Sequence, residues 1–292
     1  MSVLAILRLI RPEQWVKNAF VVAPLFFTPS AVSAASLRNV ALGVACFCAI
    51  SSAVYVLNDY RDRESDRLHP RKRNRPLAAG TVSLPLAFAL MAALLAFALA
   101  GSFLWLPRGF FWVVALYFGV NLAYTFGLKS VAILDVMVIA LGFVFRVEGG
   151  AILIGVEASA WLVIATGLLA LFLAVAKRRD DLVQGLDASH RKSIEGYTKP
   201  FLDSIIAVIL GALLVTYLIY ATDTNVMQRL GTTKVFYTTP FVVAGILRYL
   251  QITMVEERSG SPTRILLTDR MILWCVIGWL ATFAVLIYGH VA

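Results

Sequence analysis

Long, uninterrupted apolar segments recur along the whole chain and decide what it can fold into. Nine of them approach the roughly 20 residues that a helix needs to cross the hydrocarbon core of a bilayer. These segments cover residues 16–35, 40–57, 85–106, 110–126, 131–154, 161–176, 204–221, 235–252 and 271–288. Because the apolar runs are continuous and do not alternate with polar residues, a membrane β-barrel is excluded. The pattern predicts an all-α polytopic membrane protein with nine transmembrane helices.

Composition agrees with lipid as the main solvent of the chain. Hydrophobic residues make up 60% of the 292 residues and charged residues only 15%. A soluble domain of this length could not bury so much apolar surface in one core. We therefore expect residues 1–292 to form one integral-membrane domain, with its catalytic loops at 58–84 and 177–203.

Basic residues lie mostly on one side of the predicted bundle. Of the 26 lysines and arginines, 20 fall on the N-terminal arm and on the loops after the even-numbered helices, whereas four fall on the opposite side. We expect the protein in the inner (plasma) membrane. By the positive-inside rule, its N-terminus and these loops lie on the cytoplasmic side. The net charge of +9 therefore reflects topology and contact with membrane lipids, and no nucleic-acid partner is expected.

The nine predicted helices divide into two halves of four plus a ninth helix. The two most charged loops follow the second helix of each half, and Asp62 and Asp66 stand 115 positions before Lys177 and Asp181. Internal repeats of membrane proteins place binding sites at the interface between the halves. The two loops are thus expected to face one cavity from opposite sides.

Three aspartates in the stretch NDYRDRESD lie at the end of the second predicted helix. Asp59, Asp62 and Asp66 are spaced i, i+3 and i+7, which on a helix brings them to within about 60° of one another. Carboxylates so close repel unless a cation binds between them, and oxygen ligands favour Mg²⁺, which completes its shell with water and substrate phosphates. The motif predicts a catalytic Mg²⁺ site, where Mn²⁺ could substitute, and the nearby Arg63 and Arg75 suit the rest of a diphosphate.

This motif, the nine helices and the polar loops on one side resemble the UbiA-type intramembrane prenyltransferases over essentially the whole chain. The resemblance implies that the three aspartates hold Mg²⁺ on a diphosphate and that a second acidic motif follows the sixth helix. Here that second motif reads KRRDDLVQG, with Lys177 where the family has an aspartate. A cation at this position implies one metal ion fewer and direct contact with an anionic group.

Further stretches resemble one branch of that family, the decaprenyl-phosphate phosphoribosyltransferases. They are LRLIRPEQWVKN, YTFGLKSVAILDV, FRVEGGA, LFLAVAKRRDDL, HRKSIEGYT and SGSPTRILLTDR. The branch implies transfer of 5-phosphoribose from phosphoribosyl diphosphate (PRPP) to a polyprenyl monophosphate with release of pyrophosphate, towards decaprenyl-phosphoryl arabinose and cell-wall arabinan.

Polar residues around the predicted cavity are candidates for substrate binding, and several have a structural alternative. Arg146 lies inside a predicted span and either pairs with Glu148 or contacts substrate. Asp135 could be a ligand, cap a helix or pair with Lys129, and a position lining the site is favoured. The candidate set is Lys17, Asn18, Asn58, Arg63, Arg75, Lys129, Asp135, Arg146, Lys177, Arg178, Asp181, Arg191 and Lys192.

Two other functions fit a chain of this kind: a polyprenyl diphosphate:aromatic acceptor prenyltransferase and a lipid transporter. Lys177 disfavours the aromatic prenyltransferase, because an aspartate at this position is what that activity would lead us to expect. A carrier would be expected to show broken helices with charges near the bilayer midplane, whereas most acids here cluster at one surface. The length of the lipid chain and self-association into a homo-oligomer are left open by the sequence.

The charge distribution makes a testable prediction about topology. We expect Lys72→Cys to be protected from a membrane-impermeant thiol reagent in intact cells and Arg229→Cys to be labelled, because the first lies in the most basic loop and the second on the opposite side. Labelling of position 72 from outside the cell would contradict the predicted orientation.

Overall fold

The computed structural model describes residues 3–68, 72–185 and 192–289, and the regular structure in these ranges is helical throughout. The α-helices are α1 (Val3–Ile10), α2 (Ala23–Phe26), α3 (Ala34–Arg61), α4 (Arg63–Leu68), α5 (Leu84–Trp105), α6 (Arg108–Phe126), α7 (Leu134–Leu153), α8 (Ala160–Val183), α9 (Lys199–Thr222), α10 (Thr224–Leu230), α11 (Thr239–Met254), α12 (Pro262–Thr268) and α13 (Arg270–Tyr288). Eight of these described helices, α3, α5–α9, α11 and α13, are long and apolar enough to cross a membrane, α11 together with the 3₁₀ turn Val235–Thr238 that precedes it. The all-α polytopic membrane fold predicted from the sequence is confirmed.

The first of the nine predicted spans is a broken segment in the structure. Residues 12–31 form the 3₁₀ helix Pro12–Val21, the short α2 and the 3₁₀ turn Pro29–Ala31. A proline lies at the first or second position of each, and proline cannot continue a preceding helix because it lacks the N–H donor and its ring clashes with the turn before it. Eight of the nine predicted spans are therefore continuous helices in the described residues, and α1 ends before Pro12.

The two largest of the four apolar cores in the described residues lie one in each half of the bundle. The first joins α3, α5 and α6 around buried residues such as Phe47 and Phe110. The second joins α8, α9, α11 and α13 around residues such as Leu202. Helix α7 contributes Val136 at its start to the second core and Leu153 at its end to the first. The halves indicated by the two charged loops therefore correspond to two packed units with α7 between them.

Large apolar side chains cover much of the outer surface of the bundle. Val208 is 72% exposed, Trp274 71% and Trp112 63%. In water such extensive apolar exposure would drive association, whereas in a bilayer these side chains contact lipid tails. The protein is thus a multi-pass membrane protein whose outer surface is solvated by hydrocarbon.

Gly150 on α7 allows the broken N-terminal segment to approach the bundle closely. A β-carbon at this position would lie 2.2 Å from the backbone oxygen of Val21 and 3.0 Å from Cδ of Pro24. The neighbouring atoms belong to backbone and to a proline ring, so they cannot move aside as the end of a flexible side chain would. The glycine thereby places Lys17 and Asn18 against the interior of the protein.

We expect Gly150→Ala to lower the free energy of unfolding by about 1–3 kcal/mol, the usual cost of overpacking, because the added methyl group overlaps the Val21 carbonyl. The measurement is thermal unfolding of the purified protein in detergent. Gly119→Ala on α6 is the matched control, since no heavy atom lies within 4 Å of the position of its β-carbon. Equal unfolding temperatures for the two variants would contradict this account of Gly150.

Candidate active site

The three aspartates of the first polar loop lie where α3 ends and α4 begins. Asp59 is in the last turn of α3, Asp62 is the residue after its end, and Asp66 is on α4. The prediction of one straight helix carrying all three is therefore wrong, because the chain bends at Asp62. In the described ranges, no three acidic, histidine or cysteine side chains come close enough to hold one metal ion. We call this end of the bundle, where α3 and α8 end and the two charged loops begin, the rim.

Asp59 and Asp66 remain together at the rim, bridged by one arginine. The Nη1 atom of Arg75 donates to Oδ1 of Asp59 at 3.1 Å and to Oδ2 of Asp66 at 2.7 Å. Asp62 turns away and pairs with Lys129 from the turn after α6. Burial raises the pKa of Asp66 above its usual range despite the neighbouring guanidinium. Two carboxylates instead of three thus face one another.

Asp59 has an oxygen that suits a divalent ion. The side chain is 1% exposed, and its Oδ2 atom is buried without a hydrogen-bond partner in the described structure. A buried carboxylate oxygen without a donor is costly, and such an oxygen is a good ligand for a hard cation. Mg²⁺ is commonly held by one or two carboxylates together with substrate phosphates and water. The pair Asp59 and Asp66 therefore fits Mg²⁺ better than a cage of three acids would.

Arg11 is a rim residue that the sequence analysis counted only as an arm charge. It has φ 53° and ψ 62°, a left-handed conformation that is uncommon outside glycine. This conformation ends α1 before Pro12 and directs Nη2 to Oδ1 of Asp59 at 2.5 Å, with the guanidinium 5.0 Å from the centre of the Tyr55 ring. The available signal was the Arg-Pro dipeptide, which predicts a helix end but not the partner of the side chain.

Other predicted residues of the first half are divided between rim and surface. Asn58 accepts a hydrogen bond from Oγ1 of Thr125 at 2.6 Å, which joins α3 to α6 and positions the amide at the cavity. Thr125 was not predicted. Arg63 lies at the surface and donates to the exposed Glu64 at 2.6 and 2.9 Å, so its contact is with the neighbouring acid.

A cavity of about 1000 Å³ extends from the rim into the membrane region between the two halves. At the rim it is lined by Lys17, Asn58, Tyr124 and Lys177. Its middle is apolar, and its far end is lined by Glu157, Ser159, Trp161, Tyr220 and Arg229. A polar opening that continues into an apolar interior suits an amphiphile with an anionic head. Asn58 from the end of α3 and Lys177 from α8 thus line one cavity.

Arg146 lies in the wall of this cavity and is bound to the buried Asn18. Nε of Arg146 donates to Oδ1 of Asn18 at 2.8 Å, and Nη1 donates to the carbonyl oxygen of Gly142 at 2.6 Å. Among the described contacts Arg146 makes no ion pair with Glu148. The structural alternative for Arg146, a pair with that glutamate, is therefore not found there. Lys17 lines the same cavity.

Arg178 and Asp135 form a buried ion pair beneath the second charged loop. Nε of Arg178 donates to Oδ2 of Asp135 at 2.7 Å, and the two side chains are 1% and 0% exposed. Tyr197 OH donates to the other carboxylate oxygen at 2.6 Å, and Ser193 Oγ lies 2.9 Å from Oδ2. Burial and this carboxylate raise the pKa of Tyr197 to about 12, so the phenol remains a donor. Lys129, the partner considered for Asp135, forms its described ion pair with Asp62.

The structure describes some of the remaining predicted residues of the second half and not others. Asp181 accepts from Nη1 of Arg178 at 2.8 Å, so it belongs to the same buried network. Lys177 lines the cavity. Arg191 lies outside the described residues, as does the side chain of Lys192.

With this geometry established, the chain was compared with known proteins. The UbiA prenyltransferase family matches residues 19–276. The chain belongs to the UbiA prenyltransferase family. It is 34% identical to the decaprenyl-phosphate phosphoribosyltransferase of Mycolicibacterium smegmatis, over 97% of this chain and 92% of that protein. It is 31% identical to the protein of the same name from Corynebacterium glutamicum, over 97% of this chain and 86% of that one.

A solved structure confirms the UbiA fold. A UbiA homolog from Archaeoglobus fulgidus bound to GPP and Mg²⁺ has a TM-score of 0.72, with 97% of this chain and 99% of that chain covered at 20% identity. The resemblance to the UbiA family stated from NDYRDRESD and the helix pattern is therefore confirmed. Within this UbiA fold, the first loop presents its acids at the cavity rim, whereas Arg178, Asp135 and Asp181 are bound to one another.

The buried network predicts that Asp135 is needed for the folded state. We expect Asp135→Asn to lower the free energy of unfolding by about 3–5 kcal/mol, because it leaves the buried Arg178 guanidinium without its main counter-charge. Thermal unfolding in detergent measures this loss. Asp181→Asn removes one contact of the same arginine at a more exposed position and should cost clearly less. Equally small losses in both variants would show that the network does not stabilise the fold.

Proposed function

We propose that this chain transfers 5-phosphoribose from PRPP to a polyprenyl monophosphate, decaprenyl phosphate in the named relatives, and releases pyrophosphate. One observation carries the choice of reaction: the near-full-length similarity to proteins named decaprenyl-phosphate phosphoribosyltransferase at 31–34% identity. Lys177 at the rim, in place of a second metal-binding acid, supports the same choice. The product serves the supply of decaprenyl-phosphoryl arabinose for cell-wall arabinan.

The proposal assigns the pyrophosphate group of PRPP to the first-half rim. Asp59 and Asp66 would hold Mg²⁺, the ion named with the Archaeoglobus fulgidus homolog. When bound, the ion stabilises the negative charge that grows on the departing pyrophosphate. Arg75 already reaches both carboxylates and Arg11 reaches Asp59, so their guanidinium groups are positioned to donate to pyrophosphate oxygens.

Bond formation needs little acid–base chemistry in this reaction. An oxygen of the lipid phosphate forms the new bond to the anomeric carbon of the ribose, while the bond from that carbon to the pyrophosphate oxygen breaks and pyrophosphate leaves with the electron pair. The attacking oxygen is already anionic, so no strong general base is required. Asn58, held by Thr125, and Lys177 are placed to orient the anionic groups at the rim.

The two substrates approach from different solvents. PRPP is a soluble, polyanionic sugar and would enter through the rim, which the charge distribution assigns to the cytoplasmic face of the inner membrane. The lipid would place its apolar chain in the cavity interior. The alternative reaction is prenyl transfer to an aromatic acceptor. The family and the GPP bound to the Archaeoglobus homolog favour this reaction, and the experiment on the proposed reaction also tests it.

We expect Asp59→Asn and Asp66→Asn each to lower turnover on the order of a hundredfold or more, the scale of losing a group that stabilises transition-state charge. Turnover is measured as radiolabelled lipid product from PRPP and polyprenyl phosphate across a Mg²⁺ titration, and Mn²⁺ binding is followed by electron paramagnetic resonance as a direct readout of the ion.

Glu64→Gln is the matched control, because Glu64 is an acid of the same loop that is exposed and pairs with Arg63 and Arg67. Near-normal turnover of either aspartate variant at limiting Mg²⁺ would contradict its role. Prenylation of 4-hydroxybenzoate by the unmodified protein, with no product from PRPP, would replace the proposed reaction by the alternative reaction.

A further inference from the structure

Arg146 is a buried cation whose hydrogen-bond partners are all neutral. It is 4% exposed, and besides Asn18 and Gly142 it donates from Nη2 to Tyr117 OH at 3.2 Å. The rings of Phe47, Tyr117 and Phe143 lie 4.9–5.5 Å from its guanidinium carbon. Arginine stays protonated in proteins, and a charge taken out of water is costly unless an opposite charge accompanies it.

Lys17 adds a second positive charge to the same cavity wall. The two cations lie close enough to repel each other, and both line the cavity. In the described part of the chain no carboxylate forms an ion pair with either one. Of the acids near them in sequence, Glu13 is exposed and attracts Lys17 less strongly than Arg146 repels it, and Glu148 makes no described ion pair with Arg146. Glu157 lines the far end of the cavity. Within the described residues, the two positive charges therefore have no acid as an ion-pair partner.

Arg146 and Asn18 lie well below the carboxylates of the rim, whereas Lys17 lies within electrostatic range of both Arg146 and the rim residue Arg11. Asn18, which binds Arg146, donates to Sγ of Cys48 at 3.1 Å, and Cys48 precedes Asp59 by eleven residues on α3, about 16 Å along the helix. Tyr117 precedes Thr125 by eight residues on α6, about 12 Å along the helix. A group bound here is therefore distinct from one held by Asp59 and Asp66.

We infer that Lys17 and Arg146 form a binding site for a phosphate monoester inside the cavity. A monoester carries a charge of nearly −2 at pH 7, which matches the two cations, and the planar guanidinium suits two phosphate oxygens at once. Two N–H groups of Arg146 remain after its three hydrogen bonds. Asn18 acts as a positioning residue, because its amide oxygen holds Nε without neutralising the charge.

This inference rests on the proposed function, since both proposed substrates carry a phosphate monoester. One is the lipid phosphate, whose chain would continue into the apolar interior, and the other is the 5-phosphate of PRPP. The chemistry at Lys17 and Arg146 is the same for both, and binding measurements separate them.

The test measures the affinity of the full-length protein in detergent for three probes by titration calorimetry. A short-chain polyprenyl monophosphate is compared with the corresponding polyprenol, which lacks the phosphate, and with PRPP. The variants are Lys17→Gln, Arg146→Gln and Asn18→Asp. Arg229→Gln is the matched control, because it removes a positive charge from the far end of the same cavity.

We expect each of the three variants to weaken binding of one phosphate ligand by about ten- to a hundredfold, the scale of a charge-assisted hydrogen bond, while polyprenol binding and the control stay unchanged. Loss confined to the lipid monophosphate identifies the lipid as the source of the phosphate. Loss confined to PRPP identifies the sugar, and ribose 5-phosphate, which has only the monoester, should then show the same loss. Either result supports the site.

Asn18→Asp separates this role from a purely structural one. It places a carboxylate against Arg146, so a structural arginine would gain a buried ion pair and the protein would unfold at the same or a higher temperature with unchanged ligand binding. Unchanged affinities for every probe in Arg146→Gln and Asn18→Asp would overturn the inference. A different result is that the unmodified protein forms no product from PRPP but binds phosphate ligands that these variants bind weakly. In that case the proposed reaction is wrong and the binding site is supported.

Discussion

The cost of placing charge in hydrocarbon determines how this protein arranges its polar residues. In a bilayer, an unpaired charge cannot be compensated by water, so it must lie at the membrane surface, pair with another charge or face a polar cavity. The structure uses all three solutions. Arg63 stays at the surface, Arg178 is paired in the interior, and Arg146 faces the cavity.

At the rim, the same constraint links the acids to the basic residues around them. Asp59 is almost fully buried, and the guanidinium groups of Arg11 and Arg75 pair with it there. In the proposed reaction, a divalent ion would bring a positive charge to the acids and pyrophosphate would bring negative charges to the arginines. The two arginines that pair with the acids in the free protein would then become ligands of the leaving group.

The two halves of the bundle use their charged loops differently. In the first half, Asp59 and Asp66 have few donors besides Arg11 and Arg75, and one oxygen of Asp59 has none in the described structure. In the second half, Arg178 and Asp135 are surrounded by Asp181 and Tyr197. A network so fully bonded contributes to stability, whereas the less fully bonded acids of the first half are the proposed ligands of the metal ion. This asymmetry agrees with a metal site on one side of the cavity and Lys177 on the other.

Periodicity and charge in the sequence by themselves determined the all-α membrane fold, eight of the nine spans, the two halves and the loop that carries the acids. They did so because a helix in lipid must be continuously apolar, and because residues a few positions apart on a helix share a face. Only the tertiary structure decided which charges meet. Arg11 and Asp59 are separated by 48 positions, Lys129 and Asp62 by 67, and Arg146 and Asn18 by 128. Such pairs depend on how the helices pack and where prolines break the N-terminal segment, and sequence periodicity reports only on neighbours within one helix.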